Sequence, residues 1–194
     1  SDSIYSVFEN QMKSKKLKFN ANIDIKNENI LCDATKLREI FLNILSNSVK
    51  YTTEGGILDF KLTELPCERP GYSIYRSILT DSGIGISKDF LPHIFEEFTR
   101  EKNTTESRIE GTGLGMPIVK KMVDLMDGSI SIESELGKGT CVTICLPLKI
   151  SSKAEVAKKN QKSILNETFN GKSILLAEDN DLNAEIAITL LSEA

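Results

Sequence analysis

With 194 residues, 40% of them hydrophobic and 27% charged, the chain has the composition of a soluble globular protein. Its length suits one well-buried domain of about 150 residues plus something smaller. A formal net charge of −4 gives none of the basic excess that marks a nucleic-acid surface, and no apolar run approaches the roughly 18 residues of a membrane span or forms a signal peptide.

Ile4, Val7, Phe8 and Met12 recur at helical spacing and predict an amphipathic helix over 1–16, ending in a lysine-rich run. Short alternating pieces follow at 17–25 and 29–32. Asp33 is a good N-cap for a long helix reaching about Lys50. Glu54-Gly55-Gly56 predicts a turn, and strands at 57–65 and 72–79 form a hairpin across 66–71. From Asp81 to Gly111 the chain is irregular, with short helical pieces and the polar stretch REKNTTESRIEG. A second long helix is expected from about Gly113 to just before Gly128. Strands at 129–133 and 141–148 then close the unit across Gly137-Lys138-Gly139. Helices alternating with antiparallel strand pairs predict an α/β (α+β) two-layer sandwich, its sheet covered on one face by helices.

Residues 151–171 are polar and lysine-rich, as a linker would be. At 172–194, SILLAEDN predicts a buried strand and DLNAEIAITLLSEA an amphipathic helix. One strand and one helix cannot bury a core, so this segment is expected to open a second domain cut short at Ala194. Of the four cysteines, none forms a C-x-x-C pair, and His93 is the sole histidine. Cys141 and Cys145 are expected on one strand face as small buried side chains. Free thiols suit the cytosol.

Three elements carry chemistry. On the helix from Ala34, Leu37, Phe41, Ile44 and Ser48 cluster on one face, flanked by Ile40 and Leu45. Asn43, Asn47 and Lys50 form a separate stripe, which is either a solvated face or an amide pair and an ammonium suited to a cation and phosphates. Asparagine is a mediocre helix former, which makes the first option an odd choice of residues. In Thr80-Asp81-Ser82-Gly83-Ile84-Gly85-Ile86, a strand runs into an acid and a tight turn, and a buried acid needs a hydrogen-bond donor. Gly111-Thr112-Gly113-Leu114-Gly115 leads into a helix, aiming bare N–H groups and a positive dipole end at an anion. It lacks both the Rossmann spacing and the Lys-Ser or Lys-Thr of a Walker loop.

In order, Asn43-x-x-x-Asn47-x-x-Lys50-Tyr51-Thr52, Asp81-x-Gly83-x-Gly85, Phe95-Glu96-Glu97-Phe98 and Gly111-Thr112-Gly113-Leu114-Gly115 closely resemble the histidine-kinase ATPases. That family groups with the gyrase, heat-shock chaperone and MutL ATPases. The resemblance covers about 20–148 and implies a Bergerat-type ATP-binding fold over 17–150, its sheet mixed and largely antiparallel, with ATP and Mg²⁺ as ligands. It implies that Asn47 holds Mg²⁺ with help from Asn43, that Lys50 reaches phosphate, and that Tyr51 lies against the adenine. Asp81 would accept from the adenine amino group, with Thr140 sharing the network through water. Gly83 and Gly85 would let backbone pass the base, with Ile86 also among the nucleotide-binding residues. Gly111, Gly113 and Gly115 would cradle the phosphates, with Thr112 and Leu114 also binding the nucleotide, and Arg100 would approach the γ-phosphate. The segment 101–110 corresponds to a mobile lid, with Phe95 and Phe98 packed under it.

Asn43 stands where hydrolysing relatives carry a glutamate that activates water. An amide has no useful basicity, so transfer is favoured over hydrolysis. Met116-Pro117 departs from the usual Leu and small residue, tolerably, because proline fits a first helical turn. His93 matches a structural position and is not expected to be phosphorylated. The acceptor histidine is expected on a dimerising helical hairpin N-terminal to Ser1, to which 1–16 would be the joining remnant. The tail similarly resembles the start of a response-regulator receiver domain, with Glu178 and Asp179 matching its Mg²⁺-binding acids and its phosphorylated aspartate expected beyond Ala194.

Together these imply a hybrid sensor histidine kinase of the two-component type, the cytoplasmic part of a membrane-anchored bacterial protein. It would be monomeric as this piece and dimeric in full, acting on its own hairpin and on the receiver, without nucleic acid. The alternatives are a nucleotide-sensing regulatory module without phosphotransfer, and an ATPase machine, which Asn43 disfavours.

Overall fold

A computed structural model describes residues 4–100 and 112–151. The expected lid at 101–110, Gly111, the linker beyond Ser151 and the receiver start with Glu178 and Asp179 lie outside the described residues. Helix α1 (Ile4–Ser14) is followed by strands β1 (Lys18–Asp24) and β2 (Ile30–Leu31), helix α2 (Ala34–Tyr51), and the hairpin β3 (Ile57–Pro66) and β4 (Tyr72–Asp81). One turn of 3-10 helix (Leu91–His93), helix α3 (Gly115–Leu125), and strands β5 (Ser129–Glu135) and β6 (Gly139–Ile150) complete the described part.

The sheet runs β1-β3-β4-β6, with β5 and the short β2 both on the outer edge of β6. Among the described residues only β1 and β3 pair in parallel, and the other ladders are antiparallel. This is the expected mixed sheet. Strand alternation sorts its faces. β4 buries Ser73, Tyr75, Ser77, Leu79 and Asp81, and their cross-strand partners on β6 are Leu148, Leu146, Ile144, Val142 and Thr140. Onto this face pack Phe8 and Met12 of α1, Ile40, Ile44, Leu45 and Val49 of α2, and Val119 and Val123 of α3. Each such aliphatic side chain, fully buried, contributes roughly 1.5–3 kcal/mol.

α2 begins as its sequence predicts, with Asp33 accepting from the N–H groups of Thr35 and Lys36, both at 3.1 Å. Its buried face is rotated from the expected one. Leu37 and Phe41 are only half-buried, while Val49 is almost fully enclosed. Phe41 instead meets the edge of Phe60, with ring centroids 5.9 Å apart.

α3 starts at Gly115 rather than Gly113, because Gly113 adopts φ +75°, outside the right-handed helix. β4 and β6 each run two residues further toward the turn than expected, through Asp81 and from Gly139, because Asp81 and Thr140 still pair across the ladder. Cys141 and Cys145 do share a face, but it is the one away from the helices, beside Thr80 and Arg76, and they are half-buried there. Among the described residues no helix is long and apolar enough to cross a membrane.

Candidate functional site

Along one side of α2, residues at i, i+4 and i+7 share a stripe, which brings Asn43, Asn47 and Lys50 to the wall of a cleft of about 470 Å³. The Asn43 amide nitrogen donates to the Glu39 carbonyl at 2.9 Å, back along its own helix. Its oxygen faces Gly115, where an added Cβ would stand 3.1 Å from it. Asn43 therefore presents an acceptor oxygen where α2 meets the start of α3. Lys50 lies with its ammonium 5.0 Å from the centroid of the Tyr51 ring, and both line the cleft.

The opposite wall is the start of α3. Gly113, Gly115, Met116 and Pro117 line the cleft. First-turn N–H groups have no intrahelical acceptor, and the positive end of the helix dipole adds to their pull on an anion. Gly113 has no freedom to become anything larger. At φ +75°, a Cβ there would sit 2.8 Å from the Thr99 carbonyl oxygen and against the Phe98 backbone, so packing within the protein demands glycine.

The floor is built around Asp81, at the end of β4 and only 7% exposed. Its Oδ1 accepts from the N–H groups of Gly83 (2.9 Å) and Thr140 (3.2 Å), and its Oδ2 accepts from the Ser48 hydroxyl (3.1 Å). Burial pushes this carboxyl above the ordinary carboxylate range, partly opposed by the Gly83, Ser48 and Thr140 hydrogen bonds. The pairing leaves Oδ2 able to accept once more. Ile44, Ile84, Ile132 and Val142 supply apolar surface beside it. A flat, weakly polar ring bearing one outward amino group matches this floor.

Of the residues singled out from the sequence, Asn43, Asn47, Lys50, Tyr51, Asp81, Gly85, Ile86, Arg100, Thr112, Gly113, Gly115 and Thr140 line this one cleft. Gly83 and Leu114 do not, although Gly83 holds Asp81 through its N–H. A side chain at Gly83 would collide with Asp81 Oδ1 and the Tyr51 carbonyl, and one at Gly85 with the Glu135 carbonyl. What keeps both small is thus contact within the protein itself. His93 is exposed, 2.7 Å from Glu96, and away from the cleft lining. Phe95 and Phe98 are absent from that lining too, and Phe98 is 73% exposed.

Three contributors escaped the sequence reading. Helical spacing puts Ser48 on the apolar face of α2, yet its buried hydroxyl binds Asp81. A hydroxyl within an apolar stripe signals a hidden partner. Lys15 donates from its ammonium to the carbonyls of Val49 (2.8 Å), Lys50 (2.9 Å) and Thr52 (3.0 Å), capping the end of α2 that carries Lys50 and Tyr51. Ser134 on β5 bonds both the Asp81–Ile86 turn and Thr140. Neither Lys15 nor Ser134 has a local signature.

The profile of the family described as histidine kinase-, DNA gyrase B-, and HSP90-like ATPase matches residues 32–150. The autoinducer 2 sensor kinase/phosphatase LuxQ of Vibrio harveyi is 36% identical over 170 residues, 82% of this chain and 19% of that protein. The sensor histidine kinase WalK of Bacillus subtilis is 34% identical over 137 residues, 71% of this chain and 22% of that protein. The chain thus spans about a fifth of the length of these relatives. Among solved structures, full-length ShkA in complex with AMPPNP superposes with a TM-score of 0.62 at 25% identity, over 77% of this chain and 29% of that one.

Proposed function

This chain belongs to the histidine kinase-, DNA gyrase B- and HSP90-like ATPase family, as an ATP-binding catalytic domain of the histidine-kinase type, and we propose that it is the phosphoryl-donor half of a two-component sensor kinase. In this proposal it seats ATP with Mg²⁺ and gives the γ-phosphoryl to a histidine on a separate helical hairpin. The observation that carries it is the single cleft joining an acceptor-only floor at Asp81 to the N-terminus of α3 across the Asn43–Asn47–Lys50 stripe. A nucleotide is the ligand that needs both ends at once. The full-length ShkA structure, held in complex with AMPPNP, supports that choice.

The chain's own groups then divide the work. Asp81 accepts the adenine amino proton, Thr140 shares that network, and Tyr51 and Ile86 border the ring. Lys50, Arg100 and the N–H groups at Thr112 to Gly115 offset phosphate charge, which is most of what phosphoryl transfer asks of a protein. Asn43 and Asn47 would hold a hard divalent cation through their amide oxygens. Held there, Mg²⁺ would supply positive charge to offset that of the phosphates. Asn43 lacks the basicity to activate water, so the site favours transfer to a side chain over hydrolysis.

We further propose a hybrid, cytoplasmic kinase, dimeric through its hairpin and followed by a receiver to which Glu178 and Asp179 belong. Of these, the hybrid-kinase reading alone draws support from the likeness to LuxQ over 82% of the chain. Incubation with γ-labelled ATP, Mg²⁺ and the hairpin domain tests the main reading through acid-labile phosphohistidine. ATP binding without any labelled histidine would overturn the kinase reading and favour a nucleotide sensor.

A further inference from the structure

Across three neighbouring strands, one row of side chains runs outward from the floor of the cleft: Asp81 on β4 and Thr140 on β6, which line it, and Ser134 on β5 behind them, each paired with the next. Ser134 Oγ has three polar neighbours. It accepts from the Ile86 N–H at 2.9 Å, lies 2.8 Å from the Gly139 carbonyl oxygen, and lies 2.9 Å from Thr140 Oγ1.

Two oxygens that close need a proton between them. Two such contacts exist, and two protons are available, one on Ser134 and one on Thr140. The Gly139 carbonyl has none to give. Ser134 must therefore donate to Gly139, and Thr140 must donate to Ser134. The Thr140 N–H is also committed, to Asp81 Oδ1. Both protons of Thr140 thus point into the protein, and its hydroxyl offers the cleft only lone pairs.

We propose that Ser134 is a specificity-determining positioning residue that fixes Thr140 as a hydrogen-bond acceptor, so that the floor selects a 6-amino purine over a 6-oxo purine. The inference rests on the nucleotide reading of the cleft and deepens it. With Asp81 also an acceptor, Asp81 and Thr140 together favour a base edge, or a base-bound water, that brings protons. A 6-oxo base brings a lone pair to the same place. Without Ser134 the Thr140 hydroxyl rotates freely and can donate to that oxygen, which removes part of the discrimination.

The test compares ATP and inosine triphosphate by calorimetry on the full chain, with folding of each variant followed by circular dichroism. The wild type should prefer ATP. Ser134→Ala should narrow the ATP-to-inosine ratio roughly three- to tenfold, the value of about one neutral hydrogen bond. Ser134→Thr, which keeps a hydroxyl, should restore the ratio. Thr140→Val should narrow it too, and adding Ser134→Ala to Thr140→Val should change it no further. An unchanged ratio in folded Ser134→Ala or in Thr140→Val, or equal weakening of both nucleotides, overturns the role assigned to Ser134. A wild type that binds neither nucleotide overturns the nucleotide reading itself, and the inference with it.

Discussion

Replacing Asp81 by asparagine separates recognition from folding at a single atom. The asparagine oxygen can occupy the place of Oδ1 and still accept from the Gly83 and Thr140 N–H groups, now 2.9 and 3.2 Å from that atom. The amide nitrogen then replaces Oδ2 and can donate to Ser48, whose hydroxyl turns to suit. Toward the cleft, however, an acceptor has become a donor. An amino group brought by a purine loses a hydrogen bond to a charged partner, about 1.5–3 kcal/mol, and meets an unsatisfied donor instead, about 1–3 kcal/mol more. The sum, roughly 3–5 kcal/mol, corresponds to a loss of about two to four orders of magnitude in affinity.

The apo protein should not suffer. Burial raises the Asp81 carboxyl above its unfolded value, so its contribution to stability is full at pH below that unfolded value and is lost as pH rises through the folded one. The neutral amide carries no charge for burial to penalise. Thermal unfolding at pH 7 should therefore place Tm for Asp81→Asn at or above wild type, while calorimetry finds ATP binding lost. A folded variant with wild-type ATP affinity would refute the assignment of Asp81. A fall in Tm with binding retained would show the carboxylate to be structural alone.

Asn47→Asp sets a carboxylate among the phosphates and should weaken ATP by more than tenfold in fluorescence titration, with unfolding unchanged. Lys15→Met removes three charge-assisted hydrogen bonds from the end of α2 and should lower stability by roughly 2–3 kcal/mol in urea, at unchanged slope. Glu64 is pushed up by burial, but bonds from the Asn27 side chain, Ser73 and the Asn27 and Lys26 N–H groups outweigh this and bring its pKa down to about 2. Its stabilisation is present above the unfolded value near 4.5 and is lost as pH falls toward 2. The stability gap between wild type and Glu64→Gln, measured by urea unfolding across that window, should accordingly close on acidification.

What the sequence determined by itself is what depends on near neighbours along the chain. The Asp33 cap, the Asn43–Asn47–Lys50 stripe and the glycines before α3 follow from helix spacing and backbone sterics, and their order carried the family. The alternation of β4 likewise fixed which face its residues share. Tertiary structure decided the rest. The Thr140 N–H reaches Asp81 across 59 residues of sequence, and Ser134 and Lys15 gain their roles only from strand register and from where α1 ends. Register also turned Cys141 and Cys145 away from the core. Register and capping partners are set by which long-range contacts bury the most apolar surface together, a sum over the whole sheet that no local window contains.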